Sequence, residues 1–458
     1  MTFRRMAVVV LVSITLWVCG PTRAEETLSI WWERSGLKAQ DDALAGAIQR
    51  FESRYRVKVA LTLLATQEVV PRLVDALAAG RPPDIGFGNL LDLQSTARWA
   101  HDGKLEDISS VIDPIRNRFD PAALATVFLY DGVRQNRAYY AFPLQQQTMR
   151  IQYWKDMLTD AGLKESDIPL SWDGYWDFWC STVQQAYRKK AGSRVYGVGL
   201  PMGVDSSAST WGFLTFLDAT NVRLVDDVGR LLIDEPAVRA GLVKAMTRYT
   251  RPYLDGCVPP SSTSWQDADN DVTFQNRTTV LAPTTSLSMV VTSLDDMSNP
   301  LRSAAQRAAA SESLDAAIAT AAFPRKPDGR AMVYRTSVKT GVIFNQANNK
   351  RDARRFVAFL LEDAQLTPYV EGGLGRGFPV MRAAQQRPFW KADPARLAVY
   401  QQYMRGTVPF EFTRNYRFTT LNHENVWAKA MHRIVTDKVP VEQAVDEMVA
   451  RIKAVAGP

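Results

Sequence analysis

The sequence predicts an α/β protein of two lobes, each a doubly wound sheet flanked by helices, joined by a hinge. Three observations predict it. Strand and helix patterns alternate between Thr27 and Gly88. The chain, at 458 residues, exceeds the roughly 250–300 at which single cores stop growing. From Tyr139 to Leu163 an extended run, a proline, a second strand and a short helix follow one another, as a crossing between two bodies would require.

Ahead of the fold, Arg4 and Arg5 precede an uncharged apolar run from Met6 to Val18, and Thr22-Arg23-Ala24 places small residues before a cut. Residues 1–24 therefore read as a secretory signal peptide, which sends the mature chain to the periplasm. The apolar run is 13 residues, short of the roughly 20 that span a bilayer. A lipid-anchored alternative would use Cys19, but Trp17 and Val18 are bulky for an attachment box. Losing Arg4, Arg5 and Arg23 takes the formal charge from +7 to +4, and no basic tract argues for nucleic acid. Cys180 and Cys257 remain, and spacing leaves open whether they bridge or stay as buried thiols.

Thr27 to Trp32 (TLSIWW) reads as the first strand and ends in a polar turn, Glu33-Arg34-Ser35-Gly36. An amphipathic helix follows to Tyr55, with Leu44, Ile48 and Phe51 on one face. Val57 to Leu64 is the second strand, Val69 to Ala79 a helix stopped by Gly80, and Pro83 to Gly88 the third strand. Ligands of such sheets bind beyond the carboxyl ends of the strands, so the turns after Trp32 and Phe87 are candidate site loops. In Met149 to Tyr153 apolar and polar residues alternate, Lys155 to Ala161 suits a helix, and Gly162 sits at its C-terminal cap. Pro143 is read as the pivot. Trp172, Trp176 and Trp179 form a core stripe at helical spacing, and Ala304 to Ala322 reads as one helix.

The order Tyr139-Tyr140-Ala141-Phe142-Pro143, a polar run, then Tyr153-Trp154-Lys155-Asp156-Met157-Leu158 and Ala161-Gly162-Leu163 resembles the first hinge of extracellular solute-binding proteins. The resemblance is to the carbohydrate-type group that feeds ABC importers, maltose-binding-protein-like. Phe51-Glu52-Ser53-Arg54-Tyr55, Pro83-Asp84-Ile85, Gly103 to Ile108, Phe274 to Leu281 and Pro324 to Gly329 follow in that group's order. The resemblance implies a two-lobed periplasmic binding protein fold of type II. Lobe one would hold 25–141 plus 322–363 and lobe two 145–319 plus 366–458, with hinges near 141–145, 319–323 and 363–366. It also implies a monomeric sugar-binding component that hands its ligand to a membrane permease, without cofactor or metal.

Three histidines leave little for metal or acid–base work, and no phosphate loop, zinc motif or nucleophile elbow occurs. Two scattered carboxylates could still make a secreted glycosidase, and a receptor-coupled sensor would share the same fold. Polar turns beside aromatic rings suit sugar capture. From the strand ends the candidate contacts are Trp32, Glu33, Asn89 and Asp92, with Gln145 and Gln147 at the hinge. Resemblance adds Trp211, Trp265 and Asp267 in lobe two and Arg376 in a late loop; Thr284-Thr285-Ser286 stands where relatives carry a stacking ring, which implies a more polar pocket. Arg34, Arg150, Arg376 and Arg414 lie near expected cleft segments, so an anionic sugar is an open alternative to surface ion pairing.

Overall fold

The computed structural model describes residues 27–191, 194–298 and 301–457. The leader and Cys19 lie outside these residues. The strands are, in chain order, β1 (Leu28–Glu33), β2 (Val59–Leu64), β3 (Ile85–Gly88), β4 (Phe128–Asp131), β5 (Asn136–Tyr139), β6 (Phe142–Gln147) and β7 (Arg150–Trp154). After them come β8 (Tyr196–Val198), β9 (Thr279–Thr284), β10 (Ile318–Ala321), β11 (Tyr334–Ile343), β12 (Phe378–Pro379) and β13 (Thr407–Pro409).

Two sheets anchor two bodies. The first has the order β12-β6-β11-β3-β1-β2, with β13 beside β11; the second runs β10-β7-β9-β8. In β1, alternation buries Leu28, Ile30 and Trp32 on the inner face. Asp84 fixes the neighbouring turn, its Oδ2 accepting from the Ser29 N–H and hydroxyl, both at 2.8 Å. The helix Lys38–Tyr55 buries Leu44, Ala47, Ile48 and Phe51, the i, i+3, i+4, i+7 stripe the sequence shows. Trp172, Trp176 and Trp179 are all core, at 3%, 0% and 0% exposure.

The crossing between bodies falls later than expected. Phe142 to Gln147 stays in the first sheet, and the chain reaches the second between Gln147 and Arg150. Pro143 is not a pivot but marks a β-bulge. Gln145 faces Lys339 while Pro143 faces Thr340, so Leu144 is the extra residue on β6. A bulge is one of the few places in a sheet where a missing N–H costs no ladder bond. The second crossing occupies 322–333, between β10 and β11. The third is also displaced: the helix Asp363–Glu371 packs on Lys38–Tyr55, and Phe378 pairs with Gln146, so this segment stays with the first sheet. The Ala-rich helix ends at Ala317, because Ile318–Ala321, with two β-branched residues, pairs with β7 as an edge strand.

A largely buried ion triad ties the bodies together. Arg335 of β11 donates to both oxygens of Asp218, at 2.9 Å from Nε to Oδ2 and 2.7 Å from Nη2 to Oδ1, and also pairs with Glu411. Asp218 ends the helix Ser207–Asp218, which packs in the second body.

Cys180 and Cys257 form a disulfide closing a 77-residue separation in the second body. By loop-closure entropy, replacing both with serine will lower the unfolding free energy by about 2–4 kcal/mol. Urea melts of the two forms check this, and coincident midpoints would refute it.

Candidate functional site

The carboxyl ends of β1, β2 and β3 converge on one edge of the first sheet, facing the loops after β8 and β9. Between them lies a cavity of about 230 Å³ with walls from both bodies. This is smaller than most small-molecule sites, which run about 300–1,000 Å³.

On the first wall, Glu33 holds two loops at once. Its carboxylate accepts from the Thr66 hydroxyl at 2.6 Å, and from Asn89 through the main-chain N–H at 2.6 Å and the side-chain amide at 2.5 Å. Lys339, central in β11, donates to the Asn89 carbonyl at 2.7 Å and to the Ser337 hydroxyl at 2.8 Å. Ser337 in turn donates to Asp92 beneath the cavity floor. Burial pushes the Asp92 carboxyl up and the Lys339 ammonium down, and the attraction of each for the other opposes both shifts. Gln147 donates to the Arg376 carbonyl at 2.8 Å, while the Arg376 guanidinium reaches the Ser35 carbonyl at 2.6 Å.

On the second wall, Asp267 organises the start of the helix Ser207–Asp218. One oxygen accepts from the Ser206 and Ser207 hydroxyls, at 3.1 and 2.9 Å, and from the Ala208 N–H at 3.2 Å. This approach needs a glycine at 203, where a Cβ would lie 2.0 Å from the Trp265 carbonyl. Asn425, in the left-handed region at φ 47°, clamps the same loop from below. Its amide donates to the Val204 and Ser206 carbonyls, at 2.9 and 2.8 Å. Trp211, one turn into the helix, lies edge-on to Phe410, with the Lys339 ammonium 5.6 Å from its ring centre. Asp271 completes the wall. Burial pushes its carboxyl up to about 6, against the pull of the Ser288 hydroxyl and the Arg376 charge opposite.

Glu33, Asn89, Gln147, Trp211, Asp267 and Arg376 therefore meet at one cavity. The other expected contacts do not line it. Trp32 points to the opposite side of β1, stacked 4.2 Å from Phe87, with its indole N–H on the Tyr369 hydroxyl at 3.1 Å. Asp92 and Gln145 are buried behind the first wall, the latter accepting from Gln40 at 3.2 Å. The buried ring of Trp265 donates to Ser261 at 3.1 Å. Arg34 is exposed, and Arg414 lies 3.6 Å from Asp227 on the surface. Sequence reasoning missed Thr66, Gln67, Ser207, Asn270, Asp271 and Lys339. Thr284, Thr285 and Ser286 line the cavity where a ring was expected to be missing, and Trp211 is the one aromatic among the described lining residues. A groove of about 390 Å³ between Val426–Val435 and Val441–Ala456 is larger, but its walls come from the second body's outer helices and carry exposed ion pairs.

Residues 46–398 match the family model of the bacterial extracellular solute-binding proteins. Comparison with curated proteins finds no match. Among solved structures, the chain resembles an ABC transporter solute-binding protein from Thermotoga lettingae bound with alpha-D-tagatose. The TM-score is 0.72 and identity 20%, over 94% of this chain and 100% of that one. A sugar transporter protein from Arthrobacter chlorophenolicus with bound laminaribiose gives 0.69 and 14%, over 94% and 99%. The sugar-binding protein MalE from Xanthomonas citri gives 0.66 and 19%, over 94% and 97%. At these identities the likeness is one of fold.

Proposed function

Because the chain belongs to the bacterial extracellular solute-binding proteins, we propose that it captures a sugar or sugar derivative between its lobes for an ABC importer. The lobes are the bodies built on the two sheets, meeting at 148–149, at 322–333 and at a third crossing after Phe378–Pro379. The observation that carries this reading is the composition of the cavity. One stacking ring, Trp211, faces hydroxyls, amides and paired charges from both walls, an arrangement that satisfies a polyhydroxylated ring from two sides. A ligand touching both walls favours the closed arrangement over the open one, and so drives closure.

The proposed reading is capture without turnover, by a monomer in the periplasm that docks on a membrane permease. Glu33 and Asp267 are engaged as acceptors for the protein's own N–H and O–H groups, which holds loops in place and leaves neither poised to attack a glycosidic bond. Cavity size favours a mono- or disaccharide over longer chains.

Thermal shift over neutral, acidic and phosphorylated sugars tests the proposal. The bound sugar at 100 times its dissociation constant will add about 2.7 kcal/mol of stability. Sugars that leave the melting point unmoved across the panel, or release of cleaved product from an oligosaccharide, would overturn it.

A further inference from the structure

The side chains lining the cavity between the lobes turn protons into the protein and leave oxygens over. The hydroxyls of Thr66 and Ser207 give their single protons to Glu33 and Asp267. The Asn89 and Gln147 amides donate to the Glu33 carboxylate and the Arg376 carbonyl, and the Asn270 amide to the Pro283 carbonyl at 3.2 Å. The buried amide oxygens of Asn89 and Asn270 have no donor. Asp267 loads three donors onto Oδ1, while its Oδ2 takes none among the described residues. An acceptor away from water and without a proton is costly, so these groups call for a ligand that donates.

Charge leans the same way. Glu33, Asp267 and Asp271 line the cavity against two cations, Lys339 and Arg376. Lys339 is linked through Ser337 to Asp92 beneath the floor, which offsets its charge. Of the four arginines near the expected cleft, Arg34, Arg150 and Arg414 do not reach the lining, so an anionic sugar would meet one guanidinium there. The second wall gathers the negative charge: Asp267, Asn270 and Asp271 flank the start of the helix Asp269–Gln275, and Asn270 is 4% exposed. No three acidic, imidazole or thiol groups among the described residues converge closely enough to hold a metal ion. An organic cation fits better. A protonated amine supplies up to three donors and no acceptor, and its charge strengthens each bond to a carboxylate.

Resting on the sugar-capture reading, we infer that the ligand is an amino sugar, its ring against Trp211 and its ammonium on Asp267, Asn270 and Asp271. A neutral sugar would leave the charge of this wall unmatched, and a uronate would set like charges together. Lys339 stays on the first wall with a proton for a ring oxygen, since two of its three are given to Asn89 and Ser337. Burial holds the Asp271 carboxyl up at about 6, so the preference for an ammonium grows as pH rises through that value.

Calorimetric titration of the unliganded protein tests this with matched sets: glucose, galactose and mannose, then glucosamine, galactosamine and mannosamine, their neutral N-acetyl forms, and the corresponding uronates. At least one amino sugar will bind roughly tenfold or more tightly than its parent and its N-acetyl form, the worth of one charge-assisted hydrogen bond, with its uronate weakest. That preference will shrink as pH is lowered from about 7 towards 5, and in Asp271→Asn. A parent sugar, N-acetyl form or uronate that binds as tightly as the amine overturns the inference and leaves sugar capture standing. So does an advantage for the amine that ignores pH. Absence of binding across the whole set overturns both readings. The wild-type series decides by itself, so a poorly folded Asp271→Asn variant cannot shield the inference.

Discussion

Replacing Arg335 with methionine is expected to cost about 3–5 kcal/mol of unfolding free energy at about pH 8, and clearly less at about pH 5. The substitution strands two largely buried carboxylates, Asp218 and Glu411, that share this guanidinium. The sign of the pH dependence comes from Asp218. Burial already raises its pKa, with Arg335 the main opposing force, so removing Arg335 raises it further. A carboxyl whose folded pKa lies above its unfolded value destabilises the native state increasingly as pH rises past the unfolded pKa and in full above the folded pKa, and the penalty fades as pH falls and the group protonates. Urea melts across this range measure it. A deficit below 1 kcal/mol, or one that stays constant with pH, would show that the triad does not bear this load.

Asp271→Asn should move stability and affinity in opposite directions. The Asp271 carboxyl is pushed up to about 6 from 3.8 by its burial in the cleft wall. By the same sign rule, its charge disfavours the folded state from about pH 4 upward, and in full above about pH 6. The neutral amide should therefore raise the unfolding free energy of the unliganded protein at about pH 7.5 by up to about 3 kcal/mol, with the gain vanishing as pH drops towards 4. A hydrogen bond to a charged group is worth about 1.5–3 kcal/mol, so affinity for the proposed sugar ligand should fall roughly 10- to 150-fold. Calorimetric titration alongside thermal melts reads both. Loss of stability at neutral pH, or unchanged affinity, would remove Asp271 from the site.

The first lobe was legible because its signals are local. Alternation in β1, the four-residue stripe in the helix Lys38–Tyr55 and the Pro-Asp turn before β3 each report their own element. Loop residues at strand ends, such as Asn89, fell at the cavity because strand polarity alone sends them there. Trp32 was misplaced although the sequence held the correction: it shares a face with Leu28 and Ile30, while Glu33 turns to the other side. Lys339 and Asp271 were invisible for a different reason. Their roles arise from partners across the sheet and across the cleft, a proximity that no spacing along the chain encodes. Pro143 was ambiguous from the start, since a missing N–H suits a bulge as well as a linker, and only the pairing with β11 decides between them.

β11 runs through both halves of the molecule. Its first three residues pair with β13 and send Arg335 to the helix Ser207–Asp218, while Ser337 to Ile343 lies between β6 and β3. In the proposed closure, one lobe turns against the other about the segments 148–149 and 322–333, and the turn also twists this hydrogen-bonded ribbon, which ties the first sheet to the helix Ser207–Asp218. On that reading the ribbon is a torsion spring: it limits the travel of the jaws, stores elastic work as they shut, and returns it to reopen them when the proposed ligand leaves.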